Sequence, residues 1–79
     1  MRSLYVVTDN DVLAGRVDLQ DMALAEPDTL MSELLNEVQD VARLTSTEAD
    51  LVESFDRSRV DSIPVVDHDY KLLGSIRYG

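Results

Sequence analysis

The sequence predicts an α/β fold assembled as an incomplete tandem of one repeated unit. The first observation is a repeat: Leu4-Tyr5-Val6-Val7 followed by Leu13-Ala14-Gly15-Arg16-Val17 returns as Ile63-Pro64-Val65-Val66 followed by Leu72-Leu73-Gly74-Ser75-Ile76, at a constant offset of 59 residues. The second is that helix-spaced apolar residues separate the two strand-like copies. The third is composition, because 44% apolar residues in a chain of 79 suit one small globular unit rather than a disordered segment. Two units at this spacing would fill roughly 120 residues, so the chain is expected to be a piece of a larger protein.

The elements follow in order. Residues 4–8 and 12–17 alternate as two strands, and Thr8-Asp9-Asn10-Asp11 supplies the turn between them. Asp18 is placed to cap a helix running through Leu19, Met22, Ala23 and Ala25, which Pro27 ends. Asp28 or Thr29 opens a second short helix with Leu30, Met31, Leu34 and Leu35 apolar. Val41 to Leu44 reads as a brief strand. Ser46 or Thr47 begins the longest helix, where Thr47 and Asp50 form a capping box and Leu51, Val52 and Phe55 the buried stripe. Val60 leads into the second hairpin, 63–66 and 71–77 around Asp67-His68-Asp69. The β-branched pairs Val6-Val7 and Val65-Val66 read as core, each side chain contributing roughly 1.5–3 kcal/mol when fully buried. The order is ββαα, then βαββ.

Composition excludes several classes of function. A net charge of −9 disfavours nucleic acid, whose binders place Lys and Arg against phosphates. The same charge strains a compact fold through self-repulsion, which divalent cations or a basic partner surface would relieve. There is no cysteine for a disulfide or thiolate metal site, in keeping with a reducing compartment. No apolar run reaches the ~20 residues that span a bilayer, so this segment is not expected to insert in a membrane. His68, the single histidine, sits in a turn, and the glycines are scattered at 15, 74 and 79, so neither a nucleophile–base pair nor a phosphate loop is expected, and the chain is read as no enzyme. Asp9-Asn10-Asp11 lacks the glycine and distant glutamate of a calcium loop and is read as a turn. Arg57 and Arg59 are placed to finish the long helix.

The stretch from Val41 to Ile76 resembles one cystathionine-β-synthase (CBS) domain, with its short strand, helix, and hairpin of Ile-Pro-Val-Val-Asp and Leu-Leu-Gly-Ser-Ile. Leu4 to Ala25 resembles the second half of a preceding copy. The resemblance implies a truncated CBS pair with small three-stranded sheets and packed helices. Residues 1–26 would then be the C-terminal half of a first motif, 27–40 a linker, and 41–79 a second motif lacking its last helix. Leu19 to Thr29, with Ser32-Glu33-Leu34-Leu35, is similar to the segment joining the two CBS domains of MgtE-type magnesium transporters, and Phe55 to Asp67 is similar to that family too.

That resemblance implies a cytoplasmic regulatory domain of a membrane transporter, dimeric and joined to the rest of its parent, which senses Mg²⁺ and couples it to gating. Mg²⁺ keeps several waters and takes one or two carboxylates at a site. The family's ion-contacting acids lie at the ends of the second domain's first helix. The matching positions here are Thr47, Ala49, Asp56 and Arg59, of which Asp56 is the acid, and Asp50, Glu53, Asp61, Glu33 and Glu37 are its neighbours in sequence. The resemblance also implies a competing ligand, an adenosine nucleotide. In the family's motif a Ser or Thr, and an Asp three residues later, contact phosphate and ribose. Here Asp21 matches the ribose carboxylate and Asp18 replaces the hydroxyl. A third reading is a purely oligomerising module, since truncated apolar faces favour self-association.

Overall fold

The computed structural model describes residues 3–77; Met1, Arg2, Tyr78 and Gly79, which fell within the outer limits of the two expected motifs, lie outside the described residues. Strands β1 (Ser3–Val7) and β2 (Leu13–Asp18) form an antiparallel hairpin. It is followed by helix α1 (Leu19–Leu24) and a single 3₁₀ turn at Met31–Glu33. Strand β3 (Ala42–Arg43) precedes helix α2 (Glu48–Ser58), and β4 (Ser62–Val66) with β5 (Leu72–Arg77) closes a second hairpin. The chain is thus a small α/β fold with two short sheets, β1-β2 and β3-β4-β5. In the second sheet β3 runs parallel to β4. The first sheet has two strands rather than three, and a one-residue bridge between Arg16 and Asn36 stands where a further strand would pair.

The sequence repeat is reproduced in backbone detail. Each hairpin carries a register irregularity at the same place, between Val6 and Val7 and between Val65 and Val66. Each turn holds one non-glycine residue in the left-handed region, Asp11 at φ 64° and Tyr70 at φ 64°. Each turn is also tied by one side-chain oxygen that accepts two backbone N–H groups. Thr8 Oγ1 takes those of Asn10 and Val12, and Asp67 Oδ1 those of Asp69 and Lys71. Such side-chain mimicry of a backbone turn is what Thr and Asp do well at these positions. The hairpins then bond to each other reciprocally, Leu13 N–H donating to Tyr70 C=O at 2.9 Å and Leu72 N–H to Asp11 C=O at 3.0 Å. Each donor and acceptor recurs 59 residues on, so the two hairpins are related by an approximate two-fold passing between Val12 and Lys71.

Both expected helix caps form. Asp18 accepts from the N–H of Gln20 at 3.1 Å, and Thr47 with Asp50 makes the reciprocal capping box of α2. Arg59 ends α2 in the left-handed conformation, returning its N–H to Phe55 C=O. Phe55 packs with Ala42 and Ile63 in the core, backed by Leu51, Val60, Val65 and Ile76. Val17 and Val66 are fully buried.

Three expectations change. The second short helix shrinks to the 3₁₀ turn, because beyond Leu34 the chain bonds to Arg16 through Asn36 and to the end of α2 through Asp40. Val52 is 47% exposed, since only Phe55 and the half-buried Leu51 of the expected stripe face the sheet. Val7 is 38% exposed at the irregular end of β1 rather than part of the core.

Candidate functional site

Two surfaces gather the residues singled out by sequence. The first is the outer face of α2, where Glu48, Glu53 and Asp56 surround Ala49 and Val52 in a shallow hollow. Glu53 and Asp56 are one turn apart and therefore share a face. Glu53 also lies 3.7 Å from Arg57. Asp50 is turned away from this group. Its carboxylate accepts the Thr47 N–H at 3.0 Å, and the Thr47 backbone and hydroxyl together hold it below the usual carboxylate range. Of the expected ion-binding acids, the structure therefore brings Glu53 and Asp56 together, adds Glu48, and commits Asp50 to capping. Glu33 ends the 3₁₀ turn and Glu37 is exposed in the irregular segment beyond it, both away from α2. Among the described residues no three acid or histidine side chains converge as a preformed metal cage.

The second surface is a cleft of about 480 Å³ between the hairpins. Ser3, Leu4 and Tyr5 of β1 and Leu19 of α1 line one wall, and Asp61, Ser62, Ser75 and Arg77 the other. Its two walls are joined by a 2.8 Å hydrogen bond between the Tyr5 and Ser62 hydroxyls. Asp61, the fourth expected ion-binding acid, lies here, away from Glu53 and Asp56. Asp18 and Asp21 stand at the start of α1 beside Leu19, with Asp18 occupied as the cap and Asp21 exposed in the first turn. Mixed apolar and polar walls with one cation and one acid suit a small amphipathic ligand better than a bare metal ion.

Sequence reasoning missed Tyr5 and Ser62 as cleft residues. The signal was present in the 59-residue offset, which pairs Ser3 with Ser62 and Arg16 with Ser75 across the two-fold. It also missed Asp40, which fastens the irregular segment before β3 to α2. Asp40 Oδ1 accepts from Arg57 at 2.5 Å, and its other oxygen accepts from the Ser58 hydroxyl. The Arg57 and Ser58 hydrogen bonds hold the Asp40 carboxyl below its ordinary value. No local pattern around Asp40 announces this role. His68, 90% exposed and 3.4 Å from Asp69, is a solvated turn residue.

No family model matches the chain. It is 29% identical over 73 residues to the magnesium transporter MgtE of Enterococcus faecalis (strain ATCC 700802 / V583), covering 92% of this chain and 16% of that protein. The soluble part of a magnesium transporter matches with a TM-score of 0.88 at 28% identity, over 95% of this chain and 29% of the other. The cytosolic domain of the Mg²⁺ channel MgtE in complex with ATP matches with a TM-score of 0.89 at 25% identity, over 95% of this chain and 30% of the other. The chain thus spans less than a third of each of these proteins. Its fold is that of a CBS-domain pair in partial tandem, structurally matching the soluble region of MgtE-type magnesium transporters. It is related in sequence and fold to those transporters.

Proposed function

We propose that the chain is the cytoplasmic regulatory part of a magnesium transporter, in which Mg²⁺ favours a closed arrangement and its loss permits opening. The observation that carries this reading is the structural match over nearly the whole chain to the soluble part of a magnesium transporter. The charge of the chain fits it, since a net −9 is relieved by a divalent cation more than by any neutral ligand. Asp56 is the residue assigned to the ion, with Glu53 and Glu48 beside it on the outer face of α2. One or two carboxylates on one helix face fit an ion that retains most of its waters. They complete a tighter site only against a second surface, which makes a homodimer or the remainder of the parent transporter the partner. A cation that binds the closed state better shifts the population toward it, by about 2.7 kcal/mol at 100 times its dissociation constant.

The test is a residue-resolved titration: amide chemical shifts of the ¹⁵N-labelled chain during addition of Mg²⁺ at constant ionic strength. Saturable shifts centred on Glu53 and Asp56, abolished in Asp56→Asn, support the assignment. Shifts spread evenly over all acids, unchanged in that variant, contradict it.

A second reading is favoured by the cleft between the hairpins. Its walls and volume suit an adenosine nucleotide, and a matched MgtE domain was solved in complex with ATP. Arg77 lines the cleft and would take a phosphate; Asp21, the expected ribose carboxylate, and Asp18, which would repel a phosphate, are outside its lining residues at the start of α1. AMP and ATP titrations with Asp21→Ala as control separate this reading from the ion reading. A chain that answers neither ligand is an oligomerising module.

A further inference from the structure

Arg57 belongs to two surfaces at once. It follows Glu53 by one helical turn, and its guanidinium Nη1 lies 3.7 Å from Glu53 Oε1 on the outer face of α2. Its other nitrogen, Nη2, donates to Asp40 Oδ1 at 2.5 Å. The two pairings differ in setting. The Glu53 side chain is 76% exposed and that of Asp40 only 15%, so solvent screening leaves the Glu53 contact the weaker. Both carboxylates raise the Arg57 pKa, Asp40 foremost and Glu53 least.

Asp40 is fixed where it stands. Its second oxygen accepts from the hydroxyl of Ser58, the last residue of α2. Ahead of it Ala42 is buried in the core at the start of β3, and behind it Asn36 exchanges two main-chain bonds with Arg16 of β2. Arg57, long and exposed, is therefore the member of the trio that moves if the balance between its two carboxylates changes. A guanidinium drawn onto Glu53 competes with a hydrated Mg²⁺ for the same carboxylate oxygens, and the two cations repel. The position of Arg57 thus decides how much negative charge the α2 face offers to an ion.

We propose that Asp40 is a positioning residue for the ion: by holding Arg57 it keeps the guanidinium off Glu53, and Mg²⁺ at Glu53 and Asp56 in turn tightens the Asp40–Arg57 latch and the segment before β3. This rests on the Mg²⁺ reading and adds to it a path from the ion, through Arg57, Asp40 and Asn36, to the first hairpin. The coupling is reciprocal, so the factor by which the latch strengthens ion binding is the factor by which the ion strengthens the latch.

The experiment is a double-mutant cycle on Mg²⁺ affinity, read from amide chemical shifts of the whole chain at constant ionic strength. Asp40→Asn should weaken binding about two- to fivefold, the range of an exposed ion pair redirected onto Glu53. Asp9→Asn, the same change of charge in the first hairpin's turn, measures the part due to net charge alone and should weaken binding less. Arg57→Gln should bind at least as tightly as the parent chain, and adding Asp40→Asn to it should change affinity no more than Asp9→Asn does. In the parent chain, Mg²⁺ saturation should slow solvent exchange of the Asn36 amide by more than that of the Leu13 amide, which is bonded to Tyr70 away from the latch. This second readout decides the matter even if Arg57→Gln does not fold. Saturable Mg²⁺ binding with Asp40→Asn no weaker than Asp9→Asn, an Asp40→Asn effect that persists in full without Arg57, or equal slowing of the two amides overturns the proposal and leaves the Mg²⁺ reading standing. A parent chain with no saturable response to Mg²⁺ overturns both.

Discussion

Alanine at the two equivalent glycines should move stability in opposite directions, and the sizes can be worked from the structure. At Gly15 the new methyl would sit 2.7 Å from a backbone oxygen, a group that cannot swing aside like a side-chain tip. Overpacking of this kind costs about 1–3 kcal/mol. Displacing Asn36 also endangers its two bonds with Arg16, each worth about 1 kcal/mol net. Against this, removing a glycine's unfolded-state entropy returns about 0.4–1 kcal/mol. Gly15→Ala should therefore lose about 2–3 kcal/mol. Gly74→Ala meets no neighbour and keeps only the entropic gain, about 0.4–1 kcal/mol in favour of folding. For a domain of this size 1 kcal/mol is about 4–8 °C in midpoint. Calorimetry should show Gly15→Ala melting roughly 10–20 °C below the parent chain and Gly74→Ala about 2–8 °C above it. Equal shifts in the two variants would refute the claim that only the first site is covered.

Three further outcomes follow from the geometry. Thr47→Ala removes the hydroxyl half of the α2 capping box and should cost about 1 kcal/mol, read as a lower urea midpoint with unchanged slope. Tyr5→Phe breaks the hydroxyl link to Ser62 between the hairpins and should cost about 0.5–1.5 kcal/mol in the same assay. Asp40, Asp50 and Asp67 all titrate below their ordinary value when folded, so the unfolded chain binds protons first as pH falls. The stability they contribute is complete above the unfolded carboxylate pKa of about 3.9 and is lost as pH drops through their lower folded values. Asp40→Asn should flatten the acid side of the stability–pH profile, and a profile of unchanged steepness would contradict the Asp40 latch.

The sequence made the hairpins and caps legible because both rest on local chemistry. Asp18 and Thr47 declare themselves as caps by position, and the 59-residue repeat announces paired hairpins before any contact is known. The repeat predicted more than the sequence reading drew from it, including matched left-handed turn residues and reciprocal bonds across the two-fold. What misled was periodicity in residues 28–35: Leu30, Met31, Leu34 and Leu35 have helical spacing, but the chain leaves the helical path where Asn36 bonds to Arg16 and Asp40 to Arg57. Propensity yields to such long-range pairing. Val52 failed for a related reason, since the stripe of α2 was drawn wider than the small sheet it covers. The candidate site was legible in part. Asp56 and Glu53 fall together because helix spacing is local, whereas Asp61 lies in another surface and Asp40 finds its partners 17 and 18 residues away.

The measurement that tests the central claim most directly is the thermal midpoint of the chain across a Mg²⁺ titration, with ionic strength held constant by sodium salt. A regulatory module stabilised by the ion predicts a saturable rise that sodium does not reproduce and that Asp56→Asn removes. A midpoint that stays flat, or that sodium raises equally, would contradict magnesium sensing by these residues.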